Sequence, residues 1–306
     1  TKGSWLTPSE KVEPGYLRIL MKKPADYWQR DAPSNLDALA SWITDVKHGA
    51  GKRLARVIVN RLWHHHFGRG IIATPNDFGE LGEQPTHPEL LDWLARELIE
   101  NDWHLKHIHR LILTSATYRQ GAATDSGPLA IDADNQWLWQ RRPQRLEAEI
   151  IRDRLLSVAG VLKPEMFGPS LSIGAYKKPV GDTPEKWRRS IYLQVHRTVR
   201  HPTLSLFDPP DSERSTSSRN TGATAESTLF ALNSPLAWNL AGHFAKRIES
   251  EAGNDPAAQI ERAYLHALSR PPREDESEFS ATLLQNGTLT DFCHILLGLN
   301  EFIYVH

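Results

Sequence analysis

Lys52-Arg53-Leu54-Ala55-Arg56-Val57-Ile58-Val59-Asn60-Arg61-Leu62-Trp63-His64-His65-His66-Phe67 is the stretch on which the fold class turns. Leu54, Ala55, Ile58 and Leu62 recur at three- and four-residue spacing, which lays one apolar stripe along a helix. Gly68 follows as a natural C-terminal stop. Beside the apolar stripe runs a polar one. Arg56, Asn60 and His64 stand at i, i+4 and i+8, and Arg61 and His65 form a neighbouring pair. A solvated face tolerates such residues, yet flexible surfaces usually carry Lys and Glu. Arg, Asn and His present fixed donors suited to carboxylates, sulfates or backbone carbonyls.

The same periodicity extends in both directions. Upstream, Leu36, Leu39, Trp42 and Ile43 predict a helix after Ser34 and Asn35, broken at His48-Gly49-Ala50-Gly51. Residues 1–33 hold Pro8, Pro14, Gly15, Pro24 and Pro33, which predict an extended arm or linker. Downstream, Gly70 to Pro85 reads as a loop. Thr86-His87-Pro88-Glu89 then opens a helix, with Thr86 and Glu89 at capping-box spacing and Leu90, Leu91, Leu94 and Leu98 on its core face. A fourth helix is expected from Leu105 to Tyr118. A fifth runs from Arg145 to Ala159, with Leu146, Ile150, Leu155 and Val158 as its stripe. Residues 160–187 look irregular, Ile191 to His196 alternates as a short strand, and the Ser/Thr-rich 212–228 reads as an exposed or ligand-ordered loop. Helices return at Leu229–Ser250, Pro256–Ser269, Glu274–Gln285 and Leu289–Leu299. The expected class is all-α: one large helical domain over 34–306, with one short strand and long irregular loops. Lobes 34–165 and 225–306 would be joined by the irregular segment 166–224.

Composition narrows the function classes. The 306 residues carry a formal net charge of −1, so no overall basic field draws nucleic acid. No apolar run is long enough to span a bilayer. Cys293 is the single cysteine, which excludes an intrachain disulfide, a CxxCH haem site and a cysteine-rich metal centre within the chain. Thr1 to Lys11 has no signal-peptide h-region and the chain starts without Met, so it is expected to be a piece of a longer protein. The ten tryptophans, spread from Trp5 to Trp238, read as packing anchors or as a sugar-stacking platform.

Chemistry-bearing candidates sit on two of the expected helices. Glu149 and Asp153 stand at i, i+4 on the fifth, with Arg145 one turn before and Arg152 adjacent. Like charges at that spacing repel, so something must compensate them. One reading is a structural ion-pair network between helices. The other is an acid/base pair with arginine-tuned pKa values. His64-His65-His66 does not make a metal tract, because successive helical side chains diverge by about 100°. His104 and His107 could chelate as an i, i+3 pair only with a third ligand such as His87 or Asp92, and His109 points elsewhere. No metal or cofactor is expected. There is no GxSxG, P-loop or GxGxxG, and Cys293 reads as a small buried residue. Asp208-Pro209-Pro210-Asp211 reads as a rigid acidic turn.

Several longer runs look familiar together. They are Arg56 to Gly70, Thr74-Pro75-Asn76-Asp77-Phe78-Gly79, Pro85 to Leu94, Lys106 to Arg110, Ser115-Ala116-Thr117-Tyr118-Arg119-Gln120, Arg145 to Asp153, Arg188 to Tyr192, and Asn300 to Val305. In these runs the chain resembles a planctomycete-specific C-terminal domain, the domain of unknown function 1553, over nearly its whole length from Leu36. The resemblance implies an exported, multidomain parent protein with cytochrome-c-like modules and sometimes carbohydrate-binding modules. It therefore implies an extracytoplasmic place. It carries no catalytic residues with it. Two departures stand out: Ser215 to Ser218 lies where family members often have a Cys, and Ser227 stands where they tend to have Gln.

Three functions follow as expectations. The first is a binding or scaffolding domain whose Arg56, Asn60, Arg61, Arg119, Arg145 and Arg152 line a cleft for an anionic ligand, such as an acidic or sulfated glycan. The second is a polysaccharide hydrolase or lyase with Glu149 and Asp153 as acid and base, assisted by His65 or His87. The third is a redox accessory domain docking a cytochrome-c-like module.

Overall fold

The computed structural model describes residues 10, 12–121, 127–175, 178–219, 229–230 and 232–305. The all-α expectation holds: these residues are mainly helical. Their only named strands form two antiparallel pairs of two residues each. The chain divides into two compact units, Thr1–Arg141 and Arg142–His306. The irregular segment 166–224, expected to join two lobes, falls inside the second unit. No described helix is long and apolar enough to cross a membrane.

In the first unit, helices α1 (Asp26–Gln29), α2 (Asn35–Thr44), α3 (Gly51–Phe67), α4 (Pro88–Glu100), α5 (Leu105–Thr114) and α6 (Gly127–Ile131) follow one another. Ser34 starts α2 by accepting the Asp37 backbone N–H at 3.3 Å, an N-cap that satisfies one orphan donor. Helix α3 buries Ala55, a member of the expected stripe, together with Val59 and Trp63, while Leu54, Ile58 and Leu62 of that stripe are half-buried. It packs on Leu91, Leu94, Ala95 and Leu98 of α4 and Ile108 and Ile112 of α5. The expected capping box at α4 does not form. Pro88 takes the first helical position, His87 becomes the cap, and the Thr86 backbone N–H donates to Ile71 O instead. Within the segment expected as an arm, Trp28, in α1, is buried against Trp42 and Ala50, and Tyr16 stacks on Trp42 at 5.1 Å.

The second unit holds α7 (Ala148–Val158), α8 (Pro202–Ser205), α9 (Pro235–Ala252), α10 (Pro256–Leu268), α11 (Glu274–Asn286), α12 (Leu289–Leu297) and α13 (Asn300–Ile303). Proline at the first position and a capping side chain define two starts: Ser234–Pro235 for α9 and Asp255–Pro256 for α10. Thr288 and Asp291 cap each other's backbone at α12. The core is built from Leu240, Phe244 and Ile248, from Ala263 and Ala267, from Phe292, Cys293 and Leu296, and from Ile151, Leu155 and Leu156 of α7. Strand β1 (Gln144–Arg145) pairs with β4 (Tyr304–Val305), and β2 (Gly174–Ala175) with β3 (Lys178–Pro179).

Two expectations about this unit are overturned. Arg145 lies in β1, not in the fifth helix, because Leu146 N–H donates to Ile303 O and the chain enters α7 only at Ala148. Ile150 is 47% exposed, and Arg152 takes a core position on that helix. The strand expected at Ile191–His196 is a 3-10 turn over Ser190–Tyr192, followed by a single bridge from Leu193 to Leu171. Alternation there reflects neither a paired strand nor a sheet face.

Candidate functional site

In the first unit a cavity of about 370 Å³ opens at the start of α3. It is lined by Lys52, Arg53 and Arg56 of the helix, by Leu20, and by Ile72, Phe78, Glu83 and Pro85 of the following loop. The sequence builds this opening locally. Asp45 accepts the backbone N–H groups of Lys47 and His48 at 2.8 Å each and the Trp28 indole N–H at 3.0 Å. Burial works against its charge, but the bonds from His48, Trp28 and Lys47 prevail and hold its carboxyl below the ordinary range. The turn that leads into α3 presses so close that a Cβ on Gly51 would meet Thr44 O at 2.6 Å. Helix α3 has no acidic residue in its first turn, so its positive end and the cations of that turn add together.

Each cation is held differently. Arg53 Nη1 donates to Phe78 O at 2.7 Å, which fixes its guanidinium over the loop. Arg56 Nη1 lies 2.7 Å from Asp92 Oδ1 of α4. Lys52 is exposed. Glu83, the one carboxylate in the lining, is taken up by Arg69 at 3.1 Å.

Other first-unit residues singled out in the sequence have plainer surroundings. Asn60 is fully buried and imitates a strand partner: its Nδ2 donates to Ile72 O at 3.0 Å and its Oδ1 accepts Ile72 N–H at 2.8 Å. A Cβ on Gly70 would stand 2.7 Å from that Nδ2, so the loop turns there on a glycine. Arg61 reaches Asn76 Oδ1 at 3.4 Å, and Arg119 Nε reaches Ser115 O at 3.4 Å. His65 is exposed beside His64. His87 Nδ1 meets Thr86 Oγ1 at 2.9 Å. Of the residues nominated from the sequence, Arg56 alone lines the cavity. Lys52 and Arg53 were missed, although first-turn cations ahead of Arg56 at i−4 and i−3 are a readable signal.

The histidines pair in ways the sequence did not give. His66 Nε2 and His109 Nδ1 are 2.8 Å apart, and Tyr118 lies edge-on to His66. His107 Nε2 meets Glu97 Oε2 at 2.9 Å, while His104 is exposed at the cap of α5. Among the described residues no group of three or more His, Cys, Asp or Glu is placed to hold a metal ion.

In the second unit Arg152 is the compensating charge. Its Nε and Nη2 donate to Asp182 Oδ1 at 2.8 and 2.6 Å, Nη2 also to Lys186 O at 2.9 Å, and Nη1 to Arg188 O at 3.0 Å and Ser190 Oγ at 3.1 Å. Asp153 Oδ1 accepts both the N–H and the hydroxyl of Ser190, at 2.8 and 2.7 Å. Thr203 Oγ1 donates to Asp182 Oδ2 at 2.6 Å, and His201 Nε2 lies 4.0 Å from that oxygen. Burial keeps His201 below its ordinary pKa despite the opposing pull of Asp182. Glu149 faces elsewhere, to Arg219 at 2.5 Å, which also reaches Glu147. Arg145 is buried with its guanidinium 5.9 Å from the Phe207 ring centre. Thus Arg145, Glu149, Arg152 and Asp153 lie in the second unit, and Arg56, Asn60, Arg61, His65, His87 and Arg119 in the first. The serine run 215–218 is exposed in the second unit, and Ser227 lies outside the described residues.

These arrangements give a mainly helical chain with a cation-lined cavity in its first unit and a buried ionic network in its second. The chain belongs to the PSD1 family, described as protein of unknown function DUF1553, whose model matches residues 36–284. The comparison with curated proteins gives no match, and neither does the comparison with solved structures.

Proposed function

We propose that the first unit is a binding module for an anionic ligand, an acidic or sulfated sugar, seated in the cavity at the start of α3. The observation that carries this is the lining itself: Lys52, Arg53 and Arg56 surround the opening, and its single carboxylate is already paired with Arg69. In a chain of net charge −1, that concentration of positive charge is local. At about 370 Å³ the cavity lies near the small end of ligand sites, which span roughly 300–1,000 Å³. It therefore suits one charged sugar unit better than a long chain segment. Phe78 and Leu20 supply apolar wall for the sugar's ring face.

Calorimetric titration of the chain with galactose sulfate and with glucuronate, against neutral galactose, tests this. Heat is expected with the two anions and not with galactose, and it weakens as salt rises. Arg53→Ala should cost about tenfold in affinity, the scale of one charge-assisted hydrogen bond. Absence of heat with both anions, in protein whose circular dichroism is native, sinks the proposal.

A further inference from the structure

An ion pair beside this cavity bears on how an anion would be admitted. Arg56 contributes to the lining, but its Nη1 lies 2.7 Å from Asp92 on α4, and Asp92 is not among the lining residues. The rest of the lining comes from the start of α3, from Leu20, Gly49 and Ala50, and from the loop 72–85. The pair therefore draws the guanidinium toward α4. Asp92 is its sole ion-pair partner among the described residues. The carboxylate side chain is 56% exposed and the guanidinium 34%, so water is at hand to receive either when they separate.

Resting on the anion-binding reading above, we propose that Asp92 is a built-in competitor of the ligand, which sets the affinity threshold of the site. An anion entering the cavity takes over Arg56 by releasing Asp92 to solvent. Ligands that offer one weakly held charge gain nothing from that exchange. Ligands whose anionic group also meets Arg53 and Lys52 gain the difference. Asp92 thus acts as a specificity residue without touching the sugar. The opposite role, an anchor that preorganises Arg56, predicts the opposite sign, so one substitution separates them.

The test is titration of wild type, Asp92→Asn and Glu89→Gln with galactose sulfate in the same low-salt buffer, with circular dichroism to confirm folding. Glu89 is an exposed carboxylate in the first turn of the same helix, which controls for a general change of charge. Competition predicts that Asp92→Asn binds about two- to fivefold more tightly, the worth of an exposed ion pair, while Glu89→Gln stays within half of that change. Unchanged or weaker binding by Asp92→Asn, with wild type binding, overturns the competitor role and leaves the anion site standing. An equal gain from Glu89→Gln overturns it too. No binding by wild type or by either variant overturns the anion site and the competitor role together.

Discussion

Asp182→Ala should be among the most damaging single changes in the second unit. Arg152 and Asp182 side chains are each 1% exposed, so their charges depend on one another. The substitution removes the acceptor of two guanidinium bonds, at 2.8 and 2.6 Å, and leaves Nη1 and Nη2 with the carbonyls of Arg188 and Lys186 and the Ser190 hydroxyl. It also strips the Thr203 hydroxyl of its acceptor. Breaking a buried pair by removing one partner costs about 3–5 kcal/mol. Asp153, 3.4 Å from Nη1 and partly exposed, relieves some of the stranded charge. A loss of about 3–4 kcal/mol is expected, which for a unit of this size lowers the unfolding midpoint by roughly 6–16 °C. Urea denaturation and calorimetry measure it. The double change Arg152→Met with Asp182→Leu removes both charges together and should cost clearly less than the two single changes summed. If Asp182→Ala costs under about 1 kcal/mol, or if the double change is additive, the two charges do not depend on one another.

Two further outcomes follow from the first unit. Asn60→Ala leaves the Ile72 N–H and C=O without their buried partner and should destabilise by about 2–3 kcal/mol in urea titration; a loss below about 1 kcal/mol contradicts the role assigned to Asn60. His66 is held below its ordinary pKa, first by burial, then by His109, Arg141 and His65. Because the folded state binds this proton less readily than the unfolded chain, its stability is fully present above the unfolded value of about 6.5 and declines as pH falls below it. His109→Gln should flatten that decline below about pH 6.5 in thermal melts, and an unchanged slope counts against the pair.

Helix type and order were legible because periodicity reports burial directly. Phase was less so. In α3 the expected stripe of Leu54, Ala55, Ile58 and Leu62 holds one fully buried residue, Ala55; Val59 and Trp63 complete the buried face, and Leu54, Ile58 and Leu62 are half-buried. The tryptophans divided the same way: Trp28, Trp42, Trp63 and Trp187 are buried anchors, whereas Trp93, Trp137 and Trp238 are 39%, 69% and 44% exposed. Long-range partners were not legible. Asp182 lies thirty positions from Arg152 and His109 forty-three from His66, and no local rule links either pair.

The arginines show why residue type alone could not assign the site. Arg152 and Arg56 both stood out as fixed, planar donors on a helix face. Burial separates their roles. Arg152 is 1% exposed and donates six hydrogen bonds to groups of its own fold, so it has no capacity left for a ligand, and its charge serves packing. Arg56 is a third exposed, holds one solvated carboxylate, and borders a cavity with two more cations. An exposed ion pair is worth at most about 1 kcal/mol, whereas a desolvated charge-assisted contact with a ligand is worth about 1.5–3 kcal/mol. Exchange at Arg56 can therefore run in the ligand's favour, and exchange at Arg152 cannot.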